Sequence, residues 1–348
     1  MTKNLTFSIA FLLSLQVSIA QSISFTDTAF LQALLKHLPA VDTDGNDTIT
    51  QSEAALVTNL KLSNKGIKSA FELRYFSSLE RLDLSFNQLD TVDISALGQL
   101  RYLNLNNNEL RAMDFSYNPQ LHFLSINENN IGHIHLDQNP LIDTLLCDHS
   151  HVHHMKLYKC TLLQYLSCSH NHLDSLNLVA NPDLTYLDVH ANFFKQIVGI
   201  TGLSQLVYLD AEDGLLAQLD LSACLALKFF YGGSNPNLAE ICINESQLQI
   251  TQQCQLAACY FKDITANWST TCGDVTPIEK LEKTHLYAYP NPSTGIVHFN
   301  APVVKIFDAW GNLVLEHQKG LLEISLEQAP GWYNALSSSG QSIPFVLR

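Results

Sequence analysis

The chain has 348 residues, 46% of them hydrophobic, with 33 acidic against 19 basic side chains and a formal net charge of −14. The length allows two or three domains, and the apolar content an extended core. The negative charge argues against nucleic acid and anionic membrane surfaces as partners, since both require a basic footprint.

Residues 1 to 20 read as an export signal: Lys3 supplies the charged start, Phe7 to Val17 the short apolar stretch, and Ser18-Ile19-Ala20 a small-x-small site ahead of Gln21. The apolar stretch is too short for a bilayer span and no later run is longer, so no transmembrane segment is expected. Residues 21 to 56 read as an N-terminal cap. Phe30, Leu31, Leu34, Leu35 and Leu38 recur at helical spacing, Thr26 or Asp27 can cap the start, and Pro39 ends the helix. Next, Asp42, Asp44, Asn46, Thr48, Thr50 and Glu53 stand at positions 1, 3, 5, 7, 9 and 12 of an EF-hand-like loop. Oxygen ligands at alternate positions can wrap one structural calcium ion, with Thr48 contributing its backbone carbonyl. Asp47 replaces the usual glycine at the sixth position, where a left-handed conformation is needed. The competing reading is a polar turn feeding a second short helix, with Glu53 near its start.

From Val57 to about residue 248 the chain repeats itself. Segments begin at Val57, Leu79, Leu100, Leu121, Ile142, Leu163, Leu184, Leu206 and Leu227. The step between them is constant except at the first and the seventh, which are longer by one. Each follows L-x-x-L-x-L-x-x-N-x-L, as in Leu79, Leu82, Leu84, Asn87 and Leu89. This pattern resembles the leucine-rich repeat, a solenoid whose units stack because none can bury its own apolar face. The expected fold is a solenoid of about nine 21-residue repeats with little helix and a parallel sheet on the concave face. About ten residues per repeat remain for the return path, too few for a full helix and its turns. Short strands or 3₁₀ segments are expected there. The asparagines at the ninth position (Asn87, Asn108, Asn129, Asn171, Asn192, Asn235) are expected to hydrogen-bond backbone along the stack.

Strand alternation decides what faces outward. The third position carries Arg81, Tyr102, Phe123, Thr144, Tyr165, Tyr186, Tyr208 and Phe229; the fifth includes Asp83, Asn104, Asp188 and Asp210. Six aromatics in one outward stripe make a candidate ligand-binding strip of Tyr102, Phe123, Tyr165, Tyr186, Tyr208 and Phe229. Aromatic residues offer much contact area at little entropic cost. Asp188, Asp210 and Glu212 make one end acidic, which suits a neutral or basic partner. The alternative is that the stacked rings only stabilise the sheet.

Two further sets need a place. By repeat register His149 lies beside His170, His151 beside His172 and His133 beside His154, either a stacked polar ladder or a set of metal ligands. Of the eight cysteines, Cys147 and Cys168 occupy the inward sixth position of neighbouring repeats and Cys160 and Cys224 the nineteenth, where other repeats carry Asn118, Asn139 and Asn181; all four read as buried thiols rather than bridges. Cys242, Cys254, Cys259 and Cys272 cluster at the solenoid end, where a disulfide-bonded cap over residues 249–272 belongs. Pairing Cys242 with Cys272 and Cys254 with Cys259 is favoured among the three arrangements four cysteines allow. No nucleophile elbow, H-E-x-x-H or phosphate loop is present, so an enzyme is not expected.

Residues 273–286 are polar and read as a linker; residues 287–348 alternate apolar runs with turns and suggest a small β-sandwich. The repeats, with their N-P variants, and the N-terminal cap, which leads from its helix into Asp42–Asp47 and on to Glu53-Ala54, look like leucine-rich repeat proteins exported by Bacteroidetes. The C-terminal tract resembles the sorting domain of the type IX secretion system in Tyr289-Pro290-Asn291-Pro292-Ser293-Thr294-Gly295, Val304-Lys305-Ile306-Phe307-Asp308 with Gly311, and Gly331-Trp332-Tyr333. Trp332 stands where that family usually has a small or β-branched residue, and Arg348 where a terminal lysine is commoner. The resemblance implies engagement of the type IX machinery through residues 287–348. It also implies passage through the outer membrane of a Gram-negative cell, and removal of the domain with release or attachment at the surface. The expectation is a secreted or surface protein that binds a protein or peptide through its concave face; the alternative is a structural envelope or matrix component without a specific ligand.

Overall fold

The computed structural model describes residues 21–252, 259–262 and 266–270, together with strands 288–289, 296–308, 313–325, 331–337 and 342–347. Residues 1–20, read above as a signal, residues 273–286, read as a linker, and Cys254 and Cys272 lie outside the described residues. Contacts divide the chain into two units, Met1–Cys272 and Gly273–Arg348.

The repeats fold as a parallel-sheet solenoid of about nine turns with little helix. Each L-x-L core makes a three-residue strand, such as Arg81–Asp83 or Tyr102–Asn104, whose central leucine is fully buried. Ten strands run parallel in sequence order from Asn59–Lys61 to Cys259–Lys262. The last of them comes from the segment read as a cap, so that segment extends the sheet by one rung beyond the repeat pattern. Register is position for position: Arg81 faces Tyr102, Tyr102 faces Phe123, Tyr165 faces Tyr186, and Tyr186 faces Tyr208. Leucines at the fourth and sixth positions of the repeats, among them Leu82, Leu84, Leu103 and Leu105, enter one continuous core.

The turn after each strand is made by a residue in the left-handed region. Asn64, Phe86, Asn107, Glu128, His149, His170, Ala191, Asp213 and Ser234 all have φ between 50° and 56°. None is glycine, so each costs about 1 kcal/mol or more, which the stacked turns must offset. The left-handed turn sends the ninth-position side chain beneath the strands. Asn171 donates through Nδ2 to the carbonyls of Cys147 (2.8 Å), Cys168 (2.9 Å) and Ser169 (3.0 Å), and its Oδ1 accepts from the backbone N–H groups of Ser150 and Val152. Asn87, Asn108, Asn129, Asn192 and Asn235 bridge their neighbours in the same way. A second polar column follows at the nineteenth position. There Asn118, Asn139 and Asn181 donate to carbonyls of the preceding turn. Cys160 and Cys224 occupy the same slots as buried free thiols, with Cys224 Sγ 3.4 Å from the Ile200 carbonyl. Burial pushes both thiols up, to about 11 and about 12.

The return path carries short parallel strand pairs, such as His133–His135 with His154–Lys156 and Leu176–Asn177 with Ile197–Val198. Two 3₁₀ turns interrupt it, Phe71–Tyr75 and Ile200–Gly202. These fall in the two repeats that are longer than the rest, so each absorbs the extra residue without disturbing the strand register. Gly199 opens the second at φ 87°, where a Cβ would lie 2.6 Å from the Val179 nitrogen. Only glycine fits there.

At the N-terminus a helix spans Thr28–Leu35, capped by Asp27, whose Oδ1 accepts from the Ala29 and Phe30 N–H groups. The other carboxylate oxygen accepts from Lys68 and Ser69, tying the cap to the first repeat. Phe30 and Leu34 are buried, but Leu38 lies three residues past the end of the helix and is 86% exposed, so the last of the expected helical positions falls outside it. In the C-terminal unit, the strands are antiparallel: Ile296–Asp308 pairs with Ala288–Tyr289, Leu313–Ser325 and Gly331–Ser337, and the last pairs with Ser342–Leu347.

Replacing Asn171 by alanine should strand buried carbonyls and N–H groups in two adjacent turns and destabilise the solenoid by about 3 kcal/mol. Equilibrium urea unfolding of the full chain measures this; a loss below about 1 kcal/mol would show that the asparagine column is not a principal tie between turns.

Candidate functional site

The parallel register brings outward residues one repeat apart in sequence into contact. Tyr165, Tyr186 and Tyr208 stack with near-parallel rings, centroids 3.9 Å and 4.5 Å apart. Tyr102 and Phe123 form a second stack at 4.4 Å, and the Arg81 guanidinium covers the Tyr102 ring at 4.1 Å. Thr144 separates the two stacks and turns its hydroxyl to Asp143. Phe229 continues the third-position column opposite Tyr208. The rings then change column: Tyr208 lies 5.7 Å from Tyr231, which stacks on Phe261 at 5.2 Å. Tyr231 and Phe261 were not among the expected binding residues, because their fifth-position column is polar in most repeats. All six expected aromatics keep partial exposure.

Beside the tyrosines runs a column of carboxylates and amides that organise the strand ends. Asp83, Asp188 and Asp210 each accept from the N–H two residues ahead. Asp148 takes more: Oδ1 accepts from the Ser169 N–H at 2.7 Å and from the Ser167 and Ser169 hydroxyls at 2.8 Å. Toward the C-terminal end the acids crowd. Burial raises the Asp188 carboxyl against the pull of its bonded His190, and burial with Asp188 nearby raises Asp210. Glu212 is raised by burial and by Asp210. Burial, with the neighbouring Asp210 and Asp188, also holds the Tyr208 phenol up at about 12, so it stays a neutral hydrogen-bonding group.

The expected histidine contacts are present. His149 stacks on His170 at 4.1 Å, His151 on His172 at 5.4 Å and His133 on His154 at 5.5 Å. Burial lowers His133, helped by His154, and burial lowers His170, helped by His149 and His190. His190 behaves oppositely: burial would lower it, but the hydrogen bond and charge of Asp188 outweigh that and raise it.

In the N-terminal loop the carboxylates of Asp42, Asp44 and Glu53 converge, each offering an oxygen within 4.8 Å of the others. Asp47 adopts φ 60°, the left-handed conformation the sixth position demands. Asp42 accepts from the backbone N–H groups of Gly45, Asn46 and Asp47, and Asn46 Oδ1 accepts from Thr48. Glu53 is also explained by local structure. It is the third residue of the short helix Gln51–Ala54 and forms a reciprocal capping box with Thr50. Its Oε2 accepts from Thr50 N–H (2.9 Å) and hydroxyl (2.8 Å), and its Oε1 from Thr43 N–H (2.7 Å) and hydroxyl (2.9 Å). Burial alone would raise its carboxyl; the Thr50 and Thr43 hydrogen bonds outweigh burial and hold it at about 2. Cys242 is buried and disulfide-bonded. The expected pairings, Cys242 with Cys272 and Cys254 with Cys259, each fall on a cysteine outside the described residues.

No protein-family model and no curated protein matches the sequence. Among solved structures, internalin C2 of Listeria monocytogenes is similar over 71% of this chain and 99% of its own, at 19% identity and a TM-score of 0.50. Another internalin of that species aligns over 63% of this chain and 82% of its own, at 20% identity and a TM-score of 0.47. A leucine-rich repeat protein of Leptospira interrogans aligns over 63% of this chain and 69% of its own, at 20% identity and a TM-score of 0.46. At 19% identity the likeness to internalin C2 speaks to the fold alone.

The depressed Glu53 carboxyl carries a pH signature. Its folded value lies below the ordinary 4.5, so its stabilisation is fully present above that value and is lost as pH falls toward about 2. Glu53→Gln should therefore melt below wild type at pH 6, by about 1 to 2 kcal/mol, with the gap closing as pH is lowered toward 2. A gap independent of pH would show that the carboxylate charge plays no part in the cap.

Proposed function

We propose that this chain is an exported binding protein that holds a protein or peptide partner against the concave aromatic column. The observation that carries this reading is the stack of Tyr165, Tyr186 and Tyr208, whose rings pack on one another and yet remain partly exposed. Rings held in this way have already lost their rotational freedom, so a partner gains their contact area without ordering them. Asp188, Asp210 and Glu212 at the same end favour a partner segment bearing lysine or arginine.

Changing Tyr165, Tyr186 and Tyr208 together to serine removes the anchors. Loss of two stacked pairs costs about 1 to 3 kcal/mol, which a ten-rung core tolerates. The exported wild-type protein should capture a partner from the surrounding medium that crosslinks to the concave strands, and the folded triple variant should lose it by at least tenfold in affinity. A folded variant with unchanged capture overturns the reading, and favours a rod whose stacked rings only stiffen the sheet.

Export rests on the segment ahead of Gln21 and on the resemblance of residues 287–348 to a type IX sorting domain. No helix among the described residues is long and apolar enough to cross a membrane. In this reading the sorting domain is recognised by the type IX machinery, and the solenoid reaches the outer-membrane exterior or the medium. Removing residues 287–348 should leave the protein in the periplasm. Undiminished surface appearance would end the type IX assignment.

For the N-terminal loop we retain one structural calcium ion as a proposal. It is supported by the converging Asp42, Asp44 and Glu53 carboxylates and by the left-handed Asp47. The Thr50 and Thr43 bonds to Glu53 compete with it. Melting with calcium and with chelator decides the matter: a calcium-dependent rise that Asp42→Ala abolishes supports the ion, and equal melting removes it.

A further inference from the structure

We propose that Asp188, His190 and Asp210 form a binding site for a borderline divalent transition-metal ion, of which zinc is the representative. One donor atom from each lies within 4.8 Å of the other two. His190 Nδ1 is 2.7 Å from Asp188 Oδ1 and 4.0 Å from Asp210 Oδ2. The three donors are therefore gathered at one point, and a metal would take the place of the proton in the His190–Asp188 hydrogen bond, with that contact opening to about 3 Å to seat it.

Position in the fold makes the arrangement rigid. Asp188 and Asp210 are partners across two adjacent parallel strands, and His190 follows Asp188 by two residues. Their backbones are bonded to the next rungs: the Val189 N–H donates to the Asp210 carbonyl and the Ala191 N–H to the Glu212 carbonyl. The Tyr208 hydroxyl donates to Asp210 Oδ2, the oxygen that also faces His190, at 3.5 Å and so orients that carboxylate. All three donors are partly buried, so they are held in place and not swinging in solvent. On the preceding rung His170 presents its ring edge-on to His190, centroids 4.5 Å apart, which puts a second imidazole beside the first.

The donor set names the class of ion. One imidazole nitrogen with two carboxylates suits zinc and its neighbours in the first transition row. A calcium site would be built from oxygen alone, as the Asp42–Asp44–Glu53 group is. Two carboxylates on neighbouring rungs also match the charge of a dication. This inference does not depend on the identity of any protein partner.

The test uses the full chain produced without a histidine tag. Calorimetric titration with zinc alone should give one equivalent, while calcium at the same concentration gives no signal from this site. Asp188→Asn with Asp210→Asn, and separately His190→Gln, should each weaken zinc at least tenfold; both are close in shape to the native side chains. His151→Gln with His172→Gln, which removes a different stacked pair, should leave the affinity unchanged. Should either site variant fail to fold, the wild type still decides the question. Cobalt-loaded wild type should show visible absorption bands of protein-ligated cobalt, distinct from those of the hydrated ion. Absence of stoichiometric zinc, a spectrum identical to hydrated cobalt, or loss of zinc in the His151–His172 variant instead would overturn the site.

Discussion

Each turn of this solenoid buries its leucines only because the next turn covers them, and every other feature follows from keeping that stack in register. A unit this short cannot enclose a core by itself, so Leu82 and Leu103 stay dry through one another and through their neighbours along the stack. The left-handed residue at every eighth position is the local cost of that closure. Phe86 and Glu128 occupy it as readily as Asn64, which shows that stacking, and not local preference, decides the backbone there. The asparagine column then satisfies carbonyls that the tight turn would strand.

Register also explains why like meets like. In a parallel stack of equal units, position three always meets position three, so a repeated tyrosine becomes a ring stack and a repeated histidine an imidazole stack. The same rule places Asp188 beside Asp210, where two carboxylates lose hydration together and are raised by it. Such a pairing is unfavourable for stability while both carboxyls are charged. His190 on one side and the Tyr208 hydroxyl on the other are the polar groups that make it tolerable.

The solenoid, its outward columns, the ninth-position ties, the buried thiols and the histidine stacks were legible because period and alternation carry them directly. What was hidden involved a change of period or of partner. The tenth strand, Cys259–Lys262, lacks the leucine pattern and pairs through its backbone. The shift of aromatics from the Tyr208 column to Tyr231 and Phe261 breaks the rule that one column keeps one character. The His190–Asp188 bond joins positions seven and five of a single repeat, and a period analysis compares the same position in different repeats. Glu53 was ambiguous for another reason: the twelfth position of a cation loop and the third residue of a capped helix demand the same side chain. Thr43 and Thr50 supply a complete explanation for it without deciding between the two roles.

The ring separations finally connect the repeat register to the proposed binding face. Strands in a sheet lie about 4.8 Å apart. On the concave side the stacked tyrosines close to 3.9 Å and 4.5 Å, and Tyr102 with Phe123 to 4.4 Å. On the return path His151 and His172 open to 5.4 Å, and His133 and His154 to 5.5 Å. Ring separation thus varies around the strand spacing from column to column: Tyr231 and Phe261 in the same sheet open to 5.2 Å, while His149 and His170 close to 4.1 Å. Stacking attraction among the tyrosines adds to the backbone ladder of the sheet, and Thr144, paired with Phe123 on one side and Tyr165 on the other, interrupts it. In the proposed reading, a partner lying along the column would meet rings whose spacing is set by the register of the repeats. Selectivity on such a face depends on the match between the partner's own repeat of side chains and a rung spacing that no single residue can change.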